Sequence, residues 1–219
     1  GASFGYTLPK DKFRQPYIAR QVRVTVPVHL AALSWTTFQL LEGKAPHHDG
    51  LFQNGVIDTL FVTLSIDDGL TLYDKTTNEA YEDFLRFEDR GDIGNEYIYF
   101  QPKGTEPIYA NLTAYEVLEN NARYAKILLK HDLTIPVSAD EQLDAEQRGI
   151  IEFMNRKASR SEELTIIPLE TEMTIFVDDP QIRFKTRFIN TAKDHRIRLL
   201  VKTHNTRPSN DSESIYEVV

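Results

Sequence analysis

The residues of this chain able to do chemistry gather in a few places. The densest polar cluster is Glu88-Asp89-Arg90-Gly91-Asp92-Ile93-Gly94-Asn95-Glu96-Tyr97. Two glycines within four residues permit backbone conformations closed to other residues, which implies a specific loop shape. Aspartate and asparagine at such positions often bond their own backbone. Carboxylate and amide acceptors beside an aromatic ring suit a sugar, and a rigid β scaffold is a usual carrier for such a loop. The plainer alternative is a tight acidic turn between strands. Paired carboxylates are also what glycoside hydrolysis requires, but their separation is not fixed by spacing in sequence. Further along, Arg196 and Arg198 flank Ile197, so both fall on the polar face of one strand. With Asp194 and His195 they form either an anion site or ordinary paired surface charge. Of the six histidines, only the pair in His47-His48-Asp49 approaches metal-ligand spacing. Adjacent residues of an extended chain point in opposite directions, so a solvated loop and no metal site are expected there. The chain has no cysteine, which excludes thiolate catalysis, disulfides and Cys-based zinc sites. It has no Gly-rich phosphate loop and no GxSxG elbow. No complete catalytic constellation lies within it, and no catalytic residue is assigned.

The elements that must position these groups read as strands. The 219 residues are 41% apolar and 26% charged, a globular profile. A net charge of −8 disfavours a phosphate-backbone partner, so no nucleic acid is expected. No apolar run is long enough for a membrane helix, and no signal peptide opens the chain, so no membrane partner and a cytoplasmic location are expected. Ile182, Phe184, Thr186 and Phe188 alternate with Gln181, Arg183, Lys185 and Arg187. Ile197, Leu199 and Val201 alternate with Arg196, Arg198 and Leu200. Period two describes strands with one face in a core. Further strands are predicted at 20–28 (Val22, Val24, Val26), 35–41, 56–66, 70–73, 96–100, 107–118, 123–135, 164–168 and 171–177. Turn signals separate them at Asp67-Asp68-Gly69, Arg90-Gly91-Asp92, Lys103-Gly104 and Asp178-Asp179-Pro180. Many short strands with frequent turns indicate an antiparallel β-sandwich or barrel. One short surface helix is predicted after Ser138, with Leu143 nearly its only apolar residue. The stretch 42–50 reads as a linker. It divides the chain into a small β segment, 1–45, and a large β domain, 51–219. The tail 203–214 is another exposed polar connection.

Three runs in order, "DGLTLYDK" from Asp68, "GDIGNEY" from Gly91 to Tyr97 and "AKDHRIRLL" from Ala192 to Leu200, resemble the β-rich C-terminal half of glycoside hydrolase family 38 α-mannosidases of the bacterial branch. Val24-Thr25-Val26-Pro27 resembles the short β segment that precedes the family's large sandwich. The resemblance implies a supersandwich like that of galactose mutarotase, within a zinc-dependent retaining exo-α-mannosidase. It also implies that the zinc motif, the nucleophile aspartate, the catalytic barrel and the helical domain lie elsewhere on the same polypeptide. The chain itself would then hold no cofactor and act as a non-catalytic module. It would pack on the barrel and line the site for mannose-containing glycans, with the C-terminal part of its sandwich cut short after Tyr216-Glu217-Val218-Val219. A tyrosine of the matching family segment reaches the substrate, which implies substrate binding by Tyr97, with Asp92 and Asn95 shaping the loop. The spacing to Pro102 leaves Tyr99 as the other candidate. The alternatives are a free-standing carbohydrate-binding β-sandwich, and a mutarotase-like enzyme with His131 or His195 as base.

Overall fold

Strict alternation in two long strands organises the molecule. In the computed structural model, residues 48–66, 69–204 and 206 are described in full, with part of 24–43 and the backbone of 2–7, 15–20, 213–214 and 217–218. The chain divides into two compact units, Gly1–Pro46 and His47–Val219. In the first, β1 (Ala2–Thr7) and β2 (Gln15–Arg20) form an antiparallel hairpin pairing Ala2 with Arg20 and Thr7 with Gln15. The strands predicted at 20–28 and 35–41 are not found: the described residues between 24 and 43 hold only a turn, in which Ser34 N donates to Ala31 O at 3.3 Å. Val22 lies outside the described residues. A strand persists only where a neighbour takes its amides and carbonyls. Among the described residues nothing pairs with Val24, Val26 or Val28, and all three are exposed.

In the second unit β3 (Phe52–Gln53), β4 (Val56–Asp58), β5 (Val62–Ser65), β6 (Thr71–Asp74) and β7 (Glu79–Tyr81) make a five-stranded meander. Next come β8 (Leu85–Gly91), β9 (Ile108–Tyr109), β10 (Asn111–Asn120) and β11 (Tyr124–Pro136). They are followed by α1 (Glu141–Arg148), β12 (Leu164–Phe176), β13 (Ile182–Phe188), β14 (His195–Val201), β15 (Glu213–Ser214) and β16 (Glu217–Val218). A four-stranded sheet runs β10-β11-β12-β13, a three-stranded sheet runs β14-β8-β9, and β15 pairs with β16. All pairings are antiparallel.

The fold is mainly β and consistent with a sandwich. Ala125, Ile127, Leu129, His131, Leu133 and Ile135 of β11 are all buried, as are Ile167, Leu169, Thr171, Met173 and Ile175 of β12. The near half of this double row packs against Ile57, Leu64 and Leu70 of the five-stranded sheet. The far half packs with Phe87 of β8, and Ile108 and Ile197 join it from β9 and β14. His131 therefore sits at the seam between two apolar clusters. A third cluster joins Leu143 of α1 to Ile93, Ala139 and Ala158. No helix among the described residues is long and apolar enough to cross a membrane.

Several sequence expectations shift by a few residues. The two strands predicted at 164–168 and 171–177 are one, and Pro168 falls where β13 no longer pairs with β12, so its missing donor breaks no bond on that side. The turn expected at Arg90-Gly91-Asp92 begins only after Gly91, which ends β8. Residues 96–100 form a loop, because the amides of Tyr97, Ile98 and Phe100 are taken by side chains. The predicted helix caps at Asp140 rather than Ser138: the Asp140 carboxylate accepts from Gln142 N, while Ser138 Oγ donates to Ala139 O. On β14, Leu199 and Val201 are exposed, while Arg198 is half-buried against β8. Asp67 and Asp68 lie outside the described residues, as does most of 203–214.

Candidate functional site

The segment 92–102 leaves β8 as a loop closed on itself. Asp92 N donates to Asp194 O at 2.8 Å. The Asp92 Oδ1 atom accepts from Gly94 N at 2.9 Å and Phe100 N at 3.1 Å. Ile93 N donates to Phe100 O, and Asn95 N to Ile98 O. At the tip Asn95 Oδ1 accepts from the amides of Tyr97 and Ile98, at 2.9 and 2.8 Å. Asp92 and Asn95 thus spend these oxygens on the loop's own backbone, as short polar side chains in turns commonly do. Gly94 is required by the close approach of two backbone segments, since a Cβ there would stand 1.8 Å from Ile98 O. Ile93 is buried, and Arg156 donates to the carbonyls of Ile93 and Gly94, both at 2.6 Å. From this pinned base Tyr97 projects with 86% of its surface exposed.

Behind the loop, β8 buries two successive carboxylates. Neighbouring residues of a strand face opposite ways, so Glu88 and Asp89 lie on opposite faces of the sheet. Glu88 accepts from Arg90 Nε at 2.9 Å and from Arg198 through both Nε and Nη2. Burial works to raise its pKa, but the bonds from Arg90 and Arg198 outweigh that and hold the carboxyl below the usual range. Arg90 Nη1 also donates to Gln101 Oε1 at 3.1 Å, and Tyr99 Oη donates to the same oxygen at 3.3 Å. The Arg196 guanidinium lies 5.0 Å from the centre of the Tyr99 ring. Burial raises the pKa of the Tyr99 phenol. Tyr99 therefore belongs to an inner polar network, and Tyr97 to the solvent face.

On the opposite face Asp89, fully buried, accepts from Arg160 Nη1 at 2.5 Å and pairs with His195 Nδ1 at 2.6 Å. The other ring nitrogen of His195 meets Asn190 Oδ1 at 3.0 Å, and that oxygen also accepts from Ala192 N at 3.1 Å. Both nitrogens of His195 thus face side-chain oxygens, which fixes the orientation of the ring. Asp194, at φ +53, accepts from Ala139 N through Oδ2 at 3.1 Å. The run 190–198 is thus a clamp between β8, the loop and the region before α1.

This arrangement orients a loop. Glu88 and Asp89 cannot act as a glycosidase pair, because they point away from one another and each is held by two side-chain partners, Arg90 and Arg198 on one and Arg160 and His195 on the other. Arg196 and Arg198 do share a face of β14, and His195 faces the other way. Among the described residues no three of His, Cys, Asp and Glu gather as a metal-binding group; His48 is exposed and His47 lies outside the described residues. The described residues do not fit a zinc ion. Gln101 and Arg160 could not be assigned from spacing, since Arg90 and Asp89, which they meet, lie 11 and 71 residues away. The polarity of 88–101 was the one local signal.

Comparison with known proteins gives this geometry a context. The profile described as "Glycosyl hydrolases family 38 C-terminal domain 1" matches residues 1–42. A protein of Halalkalibacterium halodurans, provisionally named a mannosylglycerate hydrolase, is 33% identical over the whole chain, which spans 26% of that protein. The crystal structure of an α-mannosidase from Enterococcus faecalis V583 superposes with a TM-score of 0.76 at 34% identity, covering all of this chain and 26% of that one. Another Enterococcus faecalis structure, of a protein in glycosyl hydrolase family 38, gives a TM-score of 0.74 at 36% identity over 81% of this chain and 22% of its own. The chain thus spans about a quarter of the length of the relatives it matches. In sequence and in fold it is similar to the C-terminal β region of glycosyl hydrolase family 38.

Proposed function

We propose that this β region is the non-catalytic part of a zinc-dependent, retaining exo-α-mannosidase and that its 92–102 loop forms one wall of the mannoside site. The observation that carries this reading is Tyr97, almost fully exposed on a tip whose base is fixed by Asp92, Asn95, Gly94 and Arg156. A preorganised aromatic and hydroxyl group orients a sugar without taking part in bond cleavage. Zinc and the nucleophilic carboxylate would come from the barrel and helical domain of the same polypeptide. The exposed apolar side chains of Val24, Val26, Val28, Leu30, Trp35 and Phe38 support a packing partner, since soluble surfaces rarely leave such a group uncovered.

The test has two arms. The isolated chain, given zinc and an aryl α-mannoside, is expected to show no chelator-sensitive turnover. Expressed in continuity with its flanking gene sequence, Tyr97→Ala is expected to lower kcat/KM by roughly tenfold or more with no change in thermal midpoint. Turnover by the isolated chain, or an unchanged kcat/KM, would overturn the reading.

A further inference from the structure

A groove of about 620 Å3 is lined by the β5–β6 turn, the start of β8, β9 and the first half of β10, and it reaches His131 on β11. Its volume falls in the roughly 300–1,000 Å3 range of small-molecule sites. The polar side chains here differ from those around Glu88, where nearly every donor has found an acceptor. Among the described residues, no hydrogen bond or ion pair joins the polar ends of Asp83, Arg86, Tyr109, Asn111 or Tyr115 to the protein. The Arg86 guanidinium carbon lies over the Tyr109 ring, 3.5 Å from its centre, a cation–π contact that holds the group without engaging its N–H donors in a hydrogen bond. Tyr115 meets Phe52 edge-on, at 5.8 Å between ring centres, and is 39% exposed.

His131 is the decisive group. It is 5% exposed, interrupts an otherwise apolar row, and its Nδ1 has no hydrogen-bond partner. Buried polar atoms are almost always satisfied, and one left alone calls for an explanation. Removal from water lowers its pKa to about 4, so the ring is neutral and presents one donor and one acceptor. Among the described lining residues there is one carboxylate and one guanidinium, a balance that selects neither a strong anion nor a cation. Amide, phenol and imidazole groups beside an exposed aromatic face match a ligand with many hydroxyls and an apolar ring face.

We infer that this groove binds a pyranose unit of a glycan, with Tyr115 against the sugar face, Asp83 and Arg86 on its hydroxyls, and the His131 ring at its inner end. The inference does not depend on the 92–102 loop. The test is titration of the chain with methyl α-D-mannopyranoside and methyl α-D-glucopyranoside up to about 50 mM, well past the millimolar range of weak binding. Ligand-observed saturation transfer and the imidazole nitrogen shifts of His131 are the readouts. Saturation of at least one glycoside is expected, with His131 shifting and Asp83→Asn or Tyr115→Ala weakening binding roughly tenfold. Both substitutions lie on the surface, and an unchanged circular dichroism spectrum and thermal midpoint verify the fold. No binding by either glycoside, or binding indifferent to both substitutions, would overturn the proposal.

Discussion

Asp89 and Glu88 are adjacent and equally buried, yet they do not carry equal weight. The partners of Asp89, Arg160 and His195, are themselves buried, whereas the heads of Arg90 and Arg198 reach water. Removing one charge from a pair leaves the other uncompensated, at about 3–5 kcal/mol where both are buried and much less where solvent reaches the survivor. Asp89→Asn is therefore expected to destabilise by about 3 kcal/mol or more, and Glu88→Gln by clearly less. Urea unfolding of the two variants gives the ordering directly, and equal losses would contradict it. His131 makes a pH-dependent contribution of a different kind. Its folded pKa, about 4, lies below the unfolded value of 6.5, so the unfolded chain binds the extra proton between those values. The stability that depends on the neutral ring is present above pH 6.5, falls as the pH drops towards 4, and levels off below. The total is on the order of 3 kcal/mol. Comparing His131→Leu with the parent chain at pH 7 and pH 4 isolates it: the variant should lose less on acidification.

At the scale of elements, the loop and the strands show different degrees of legibility. The strand 182–188 was fully readable, because its alternation of apolar and charged residues is the alternation of core and water. The loop shape of Asp92 to Asn95 was readable too, since Asx chemistry is local and Gly94 is demanded by it. Among the described residues, those at 24–28, 35–41 and 96–100 form no strand for one reason: apolar or aromatic content is necessary for a strand, but a pairing partner decides. At 96–100 the Asn95 side chain takes the amides that a ladder would need. The partners of Glu88 and Asp89 could not be read, because Arg198 and His195 lie more than a hundred residues away in sequence. Nor could the groove beside His131, which exists only once four strand regions converge. The loop itself makes a sharp prediction. Gly94→Ala places a methyl group against Ile98 O and Phe100 N, so the tip must open. A loss of roughly 1–3 kcal/mol is expected, together with faster amide exchange at Tyr97 and Ile98. An unchanged exchange pattern would show that the loop tolerates a Cβ and is less tightly closed than its hydrogen bonds imply.

For the whole molecule, the decisive point is where the core residues lie in sequence. Among the described residues, all three apolar clusters of the second unit are built between Leu51 and Ile197. The two 13-residue strands β11 and β12 carry most of that core, joining the five-stranded sheet at one end to the three-stranded sheet at the other. Such a unit has its own buried interior and should fold without the first 46 residues. Deleting residues 1–46 is thus expected to leave a single cooperative thermal transition, with the midpoint moved by less than about 4 °C, the shift that roughly 1 kcal/mol produces in a domain of this size. The groove beside His131 and the 92–102 loop both lie within the retained part, so glycoside binding in the groove should survive the deletion unchanged. A midpoint lowered by much more, or a transition broadened into two, would mean that the first unit supports the sandwich and that the two do not fold independently.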